Sequence, residues 1–172
     1  MKEAFPMIAL LVLGLGLVFA ANPTAAWSTV EFQVIGTGEA GGTCQVGPLT
    51  PACVSNSGGQ VTGTVIDSGT YTLSLTAGPV GAAQSTTGTC FPANSTGQIV
   101  VAATGDLINF KTVGWICEEF LPGSPYHFNG TYRIDSGTGQ FAAASGGGSL
   151  TATFEKEFQG RTFLKLDGAI AF

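Results

Sequence analysis

The feature that most constrains this chain is an alternation of apolar and polar residues with a period of two, interrupted at short intervals by turn residues. Val30, Phe32 and Val34 alternate with polar residues, which places the apolar side chains on one face of a strand. No segment after Trp27 sustains the period of a helix. The best helical candidate, residues 141–144, is too short to be stable without support. The pattern therefore predicts an all-β chain.

Residues that favour turns separate the alternating segments, so that about eight strands follow one another at hairpin spacing. Ser68-Gly69 and Thr104-Gly105-Asp106 are two of the predicted turns. The predicted strands cover residues 30–34, 60–67, 70–75, 98–103, 107–117, 127–134, 149–154 and 163–172. This spacing predicts an antiparallel β-barrel of about eight strands, with a β-sandwich as the alternative.

Glycine is abundant, at 26 of 172 residues, and two glycine patterns look like nucleotide-binding fingerprints. Residues 36–41 satisfy GxGxxG and residues 137–142 satisfy GxGxxA, each after a predicted strand. The fingerprint works only where the glycines open a helix, and Pro48 and Gly146 follow too closely to permit one. Both patterns are predicted to be turns, residues 36–44 are predicted to be a loop, and no cofactor is expected.

Charged residues make up only 10% of the chain, and 6 basic residues stand against 11 acidic ones. This balance argues against a surface for nucleic acids or anionic membranes. The content of aromatic and β-branched residues argues against disorder. A chain of this length has room for one core, so residues 21–172 are expected to form a single domain.

The N-terminus has the composition of a signal peptide. Lys2 precedes an apolar run, residues 7–20, that is too short to span a bilayer, and Val18-Phe19-Ala20 offers the small residues of a cleavage site. Residues 1–20 are therefore predicted to be removed, with an uncleaved N-terminal anchor as the alternative. The remaining chain is expected to be secreted, periplasmic or extracellular, without a stable membrane span.

Four cysteines fit an oxidising compartment, in which an even number indicates two disulfide bonds. Three pairings are possible. The predicted ones are Cys44–Cys53, across a short loop, and Cys90–Cys117, between two strands. A metal site is disfavoured because the chain has no CxxC pair and only 1 histidine to complete one.

No arrangement of residues indicates catalysis. His127 is the single histidine, and no GxSxG motif accompanies it, so a structural role is expected. Glu118 and Glu119 are adjacent on a predicted strand and point to opposite sides. Glu155 and Glu157 share a face but are expected at a solvated edge. No catalytic residue is therefore assigned, and a non-enzymatic role is favoured while an enzymatic one stays open.

Aromatic residues and sequons give weaker indications. Trp27 and Trp115 could line a ligand cavity or belong to the core, and the core is the expectation for most of the aromatic residues. Asn94-Ser95-Thr96 and Asn129-Gly130-Thr131 are N-glycosylation sequons, which have meaning only in a eukaryotic source.

The segment 130–151 resembles a hairpin of the dirigent and allene oxide cyclase-like barrels. In that family a strand of the form G-x-Y/F-x-I leads into a G/S-G-T-G-x-F turn, then a run of small residues, a glycine and the next strand. The corresponding sequence here is GTYRIDSGTGQFAAASGGGSLT, in which Ser136 replaces the commoner glycine and Gln140 the commoner basic residue. The turn at residues 104–107 also resembles the N-G-D turn that precedes this hairpin in the family.

The resemblance implies a calycin-like, eight-stranded antiparallel barrel with a central cavity, closed at one end by Phe141. Plant members steer radical coupling or cyclise an epoxide with polar cavity residues. Those positions have no residue-by-residue match in this chain, so the resemblance implies no catalytic residue here.

Three functions from different classes remain open. The first is a non-enzymatic exported barrel that binds an apolar small molecule or acts at the cell surface. The others are a dirigent- or cyclase-like enzyme and a structural or adhesive surface protein. The interior separates them: an apolar cavity with a few polar groups favours ligand binding, a buried Asp, Glu or Arg favours catalysis, and a filled interior favours a structural role.

Overall fold

The computed structural model of the chain describes residues 28–44, 53–78, 83–84, 88–119, 124–156 and 159–172. Within these ranges the elements are, in chain order, β1 (Thr29–Cys44), β2 (Cys53–Gly63), β3 (Asp67–Ala77), β4 (Ala83–Gln84), β5 (Gly88–Val101), β6 (Leu107–Glu119), β7 (Tyr126–Gly137), a 3₁₀ turn (Gly139–Phe141), β8 (Ser145–Lys156) and β9 (Gln159–Ala171).

The strands form a closed antiparallel barrel. They follow the order β3-β2-β1-β9-β8-β7-β6-β5, and β3 also pairs with β5, which closes the sheet on itself with eight strands. The short β4 adds a two-residue pairing to β5. The prediction of an eight-stranded antiparallel barrel is confirmed, and closure rules out the β-sandwich.

The strands are steeply staggered around the barrel. A line of paired residues that starts at Gly42 returns to the same strand at Phe32, ten residues away, after passing through Ser55, Leu75, Ser95, Thr112, Tyr132, Gly148 and Gly168. A stagger of this size tilts the strands strongly against the barrel axis, so that each strand coils as it crosses the barrel.

Alternation along each strand sends every second side chain into the barrel. In β3, Tyr71, Leu73 and Leu75 are buried, whereas Thr72 and Ser74 between them are exposed. The inward side chains of the described strands form one continuous apolar core, whose largest fully buried members are Tyr71, Phe32, Phe110, Phe128, Phe141 and Phe154. Filling by side chains is typical of small barrels.

The predicted loop at residues 36–44 is wrong, because β1 continues without interruption to Cys44. Gly38 faces Gly59 of β2 directly, and a Cβ on Gly38 would lie 2.8 Å from the Gly59 Cα. The backbone ladder needs no side chains, so glycines can extend a strand where its neighbour comes this close. The GxGxxG pattern at 36–41 is therefore part of a strand and not the predicted turn.

Two further pairs of glycines face each other across neighbouring strands, Gly114 with Gly130 and Gly148 with Gly168. A Cβ on Gly114 would lie 2.6 Å from the Gly130 Cα, and a Cβ on Gly148 would lie 2.6 Å from the Gly168 Cα. Side chains do not fit at such separations. The high glycine content therefore serves the tightly coiled strands of this barrel as well as its turns.

The hairpin between β2 and β3 turns at residues 64–66, and the predicted turn at Ser68-Gly69 is wrong. Thr64 fixes the observed turn, since its hydroxyl donates to the Glu31 carbonyl at 2.9 Å and accepts the N–H of Gln33 at 3.1 Å. Gly69 lies inside β3, paired with β5. A residue without a side chain at this position lets β3 and β5 approach closely enough to close the barrel. In the sequence, a glycine inside a strand looks the same as a glycine in a turn.

One end of the barrel is closed by the 3₁₀ turn. Gly139 has a φ of 54°, and Phe141 points inward with 0% of its surface exposed and its ring 5.0 Å from that of Phe172. The predicted turn at residues 137–139 and the predicted burial of Phe141 are confirmed. The predicted turn around Gly105 is confirmed as well, with a φ of 74° at that residue.

The disulfide Cys90–Cys117 joins β5 to β6, as predicted. Cys44 lies directly opposite Cys53 in the β1–β2 register, but the side chains of this pair are outside the described residues and their bond stays a prediction. Residues 1–27, which include the predicted signal peptide and Trp27, are also outside them. The described ranges contain no helix of the length and hydrophobicity needed to cross a membrane.

Candidate binding groove

The barrel interior holds buried hydroxyl groups, and its buried polar side chains, counted over the described residues, are all serine or threonine. Ser95 Oγ and Thr112 Oγ1 lie 2.5 Å apart and satisfy each other. Within the ranges that the structure describes, the hydroxyls of Tyr132 and Thr162 have no hydrogen-bond partner, whereas those of Ser57 and Tyr71 lie beside each other. In the described part of the chain, therefore, no carboxylate, guanidinium or ammonium group is buried where it could carry acid–base chemistry.

The two buried tyrosines remain neutral. Burial raises the pKa of Tyr132 to about 12, with a smaller contribution from the negative charge of Asp167. Burial also raises the pKa of Tyr71, which the Ser57 hydroxyl partly offsets. The Tyr132 ring packs at 6.2 Å from Phe32 and 6.3 Å from Phe110, measured between ring centroids. Both phenols are thus core residues rather than bases.

The remaining candidates from the sequence do not converge on a site. His127 Nδ1 lies 3.3 Å from Thr153 Oγ1 across β7 and β8, which suits a structural histidine. Glu118 and Glu155 are exposed, and the side chains of Glu119 and Glu157 lie outside the described residues. Among the residues that the structure describes, no group of three or more potential ligands could hold a metal ion.

Trp115 lies on the outer surface of the barrel, 44% exposed, so the expectation of a core position does not hold for it. The alternation of β6 turns Ile116 inward and leaves Trp115 and Val113 outward. Val113 is 59% exposed. The two side chains form a small apolar surface on a face that is otherwise polar.

Three shallow depressions adjoin on this face and form one channel along β5 and β6, here called the outer groove. The depression at Trp115 has a volume of about 470 Å³, and it shares Asn94 and Val113 with a second one of about 330 Å³. A third, of about 320 Å³, shares Thr96 and Lys111 with the second. The groove follows residues 109–115 of β6, which corresponds to roughly 20 Å at the rise of a strand.

Uncharged polar side chains line the middle of the outer groove. Ser74 of β3 lies opposite Thr96 of β5, and Thr76 lies opposite Asn94. Hydroxyl and amide groups both donate and accept hydrogen bonds, and they are presented here at every second position of neighbouring strands. The polar lining from β3, β5 and β6 consists of Thr72, Ser74, Thr76, Asn94, Thr96, Gln98 and Asn109.

The Trp115 end of the groove has a rigid frame. Trp115 lies opposite Pro92 on one side and Asn129 on the other. The disulfide Cys90–Cys117 joins β5 and β6 two residues beyond the Trp115–Pro92 pair and fixes the register of these two strands. The closely spaced backbones of Gly114 and Gly130 belong to the floor of this depression.

The opposite end of the groove carries a small cluster of charges, in which Asp135 of the lining lies near both Lys111 and, at 3.6 Å, Arg133 outside the lining. Lys111 Nζ lies 2.9 Å from a carboxylate oxygen of Asp135. Beside this pair, Gln98 donates to Asn109 at 2.9 Å, and Asn109 donates to Ser136 at 3.0 Å. The charges contributed by the lining residues of the three depressions therefore cancel, and the ends of the amide side chains are held in place.

The outer groove is not among the features predicted from the sequence. Its signal is the spacing T-x-T-x-S-x-T at residues 70–76, which indicates a strand but not what that strand faces. The polar rows of β3 and β5 become neighbours only through barrel closure. Asn94 and Asn129, the sequon asparagines, are both exposed at the Trp115 end.

Comparison with known proteins finds no matching family model, no matching curated protein and no matching solved structure. The class of protein is therefore defined by the fold and the surface alone. It is a closed antiparallel β-barrel that carries a disulfide and, on its outer face, a groove whose lining residues have no net charge.

Proposed function

We propose that this chain is an exported, non-enzymatic β-barrel that acts at or outside the cell surface by binding a partner on its outer face. The observation that carries the proposal is the contrast between the two sides of the same strands. The inward side chains pack into an apolar core, whereas the outward ones form a groove with an exposed tryptophan.

Export is supported by the signal-peptide composition of residues 1–20 and by the disulfide between β5 and β6. Disulfides persist in oxidising compartments and are rare in the cytosol. Charged residues make up only 10% of the chain, and threonine is common among the outward-facing residues of the strands. Both features suit a protein that binds its partner through hydrogen bonds rather than ion pairs.

A second candidate is the binding of an apolar small molecule inside the barrel. It is favoured by the hydroxyls of Tyr132 and Thr162, which are buried without a partner among the described residues and which the polar group of a ligand would satisfy. Internal water molecules would satisfy them equally well. The dirigent- or cyclase-like alternative depends on the resemblance of residues 130–151, and the central cavity that it implies stays a prediction.

Fractionation of the producing cells, followed by native mass spectrometry of the purified protein, tests the proposal. We expect a chain that begins at Ala21, lies in the medium or on the envelope, contains no free thiol and carries no small molecule. A cytosolic, fully reduced chain would contradict export. A stoichiometric apolar molecule that survives purification would favour the second candidate instead.

A further inference from the structure

We propose that the outer groove binds an uncharged carbohydrate chain, with Trp115 as the surface on which a sugar ring stacks. This inference rests on the proposed function and specifies its ligand. It is carried by three properties of the described residues: an exposed aromatic ring, an adjoining row of hydroxyl and amide groups, and a lining whose charges cancel.

The exposed indole is the first property. Trp115 is 44% exposed beside Val113, which is 59% exposed, and large apolar side chains clustered on a polar surface mark a binding site. A sugar ring has an apolar C–H face and a polar rim of hydroxyls. The flat indole can stack on the C–H face of the sugar. The amide of Asn129, directly opposite Trp115 in the β6–β7 pair, is placed to form hydrogen bonds with the sugar hydroxyls.

The row of hydroxyl and amide groups is the second property. Each sugar hydroxyl both donates and accepts, and so do the side chains of Ser74, Thr96 and Asn94. These side chains continue from the Trp115 end to the Gln98–Asn109 amide pair. A groove of roughly 20 Å is longer than one ring, so an oligomer or polymer fits it better than a single sugar.

The cancelled charge is the third property. Lys111 is the cation of the lining, and it is held at 2.9 Å by Asp135, which also lies 3.6 Å from Arg133 outside the lining. The whole chain has a net charge of −5, which repels anionic polymers. A purely apolar ligand would leave the hydroxyl and amide groups desolvated without partners, which is costly. A neutral polyhydroxylated chain avoids both penalties.

Affinity electrophoresis of the purified chain tests the inference, in native gels that contain hydroxyethyl cellulose, laminarin, galactomannan or arabinoxylan as neutral probes. Polygalacturonate serves as the anionic probe. We expect at least one neutral polymer to retard the chain. That retardation should persist when NaCl is raised from about 50 mM to about 500 mM, because a neutral ligand forms no ion pairs that salt can screen.

Three variants locate the site. Trp115→Ala should weaken binding at least about tenfold, as expected for a tryptophan that anchors a binding interface. Thr96→Val keeps the shape of the side chain and should weaken binding about fivefold by removing one hydroxyl. Phe163→Ala is the matched control, because Phe163 is an exposed aromatic residue, at 55%, on β9 and outside the three depressions. It should change the affinity by less than about twofold, and thermal melts confirm that all variants fold.

The inference is overturned if no neutral polymer retards the chain, or if only polygalacturonate does. It is also overturned if Trp115→Ala and Phe163→Ala bind with equal affinity. Binding of the fluorescently labelled chain to intact cell envelopes separates this failure from that of the proposed function. If Trp115→Ala binds envelopes as well as the unchanged chain, the carbohydrate groove is wrong and the surface role stands. If the unchanged chain binds no envelope and retains an apolar molecule, the proposed function itself is wrong.

Discussion

The interior of the barrel and its outer groove are built from the same strands and differ in what each side chain does. On β3, Tyr71, Leu73 and Leu75 are buried in the core, whereas Thr72 and Ser74 between them face solvent. The inner residues contact many neighbours and admit little change. The outer residues are spaced evenly and contribute little to stability, so they are available for recognition.

In this weakly charged, glycine-rich chain, opposite faces of the same strands provide stability and recognition. Closure of the sheet buries one set of alternate residues, which stabilise the fold. It leaves the other set exposed on a rigid surface. We therefore expect inward substitutions to change the free energy of unfolding and groove substitutions to change binding, with the disulfide as the one feature that touches both.

The largest expected effect is at the closed end of the barrel. Phe141→Ala should lower the free energy of unfolding by about 3–5 kcal/mol, the range for a fully buried phenylalanine that leaves a cavity. Denaturant melts measure this change. Gln140→Ala, at an exposed neighbouring position, should stay within about 0.5 kcal/mol. Equal and small effects at both positions would mean that Phe141 does not seal the core.

The disulfide should have the next largest effect. Replacing Cys90 and Cys117 by serine opens a loop with a sequence separation of 27 residues, for which loop-closure entropy gives about 3.5 kcal/mol. Denaturant melts of this double variant should therefore show a clear loss of stability. The same variant should weaken carbohydrate binding, because the bond fixes the strands that hold Trp115. Unchanged affinity in the folded variant would separate the groove from the disulfide.

The paired glycines should respond more moderately. Gly130→Ala places a Cβ 2.9 Å from the Gly114 Cα and should cost about 1–3 kcal/mol through overpacking. Gly41→Ala is the matched control, because a Cβ there meets no atom within 4 Å. That substitution should leave the free energy of unfolding within about 0.5 kcal/mol. Similar losses at the two positions would show that close strand approach is not the reason for glycine.

The smallest effect at neutral pH is expected for Tyr132→Phe, which removes a buried hydroxyl that has no partner. Because the pKa of Tyr132 is raised to about 12, the folded chain keeps the phenol neutral where the unfolded chain ionises it. The contribution of Tyr132 to the free energy of unfolding should therefore be constant below about pH 10 and fall between about pH 10 and 12. Tyr132→Phe should reduce that fall, and two parallel pH curves would contradict the assignment.

The fold could be predicted because the sequence patterns that specify it lie within short segments of the chain. Alternation, turn residues and the position of Phe141 after two glycines are sequence patterns with direct geometric meaning. The pairing Cys90–Cys117 was predicted from the even number of cysteines, since Cys117 lies on a predicted strand but Cys90 precedes the predicted strand 98–103. The errors came from glycine. Residues 36–44 and Gly69 have the composition of loops and turns, but they lie in strands, and at Gly38 and Gly69 the close approach of the neighbouring strand requires glycine.

The outer groove could not be predicted because it depends on pairings that are distant in sequence. Ser74 and Thr96 become neighbours only when β3 pairs with β5, and Trp115 is classified as core by hydrophobicity until the register of β6 is known. Outward polar residues of a strand look the same in sequence whether they face bulk water or line a groove. Their function emerges only from the surface that several strands form together.

The most direct test of the division between core and groove is an NMR titration of the isotope-labelled chain with oligosaccharides of the neutral polymer that retards it most. The account predicts shifts of the Trp115 indole N–H and the Val113 methyl groups, with the methyl groups of the buried Leu150 and Leu164 unchanged. Shifts of Leu150 and Leu164 with an unchanged Trp115 signal would place the ligand inside the barrel and contradict the account.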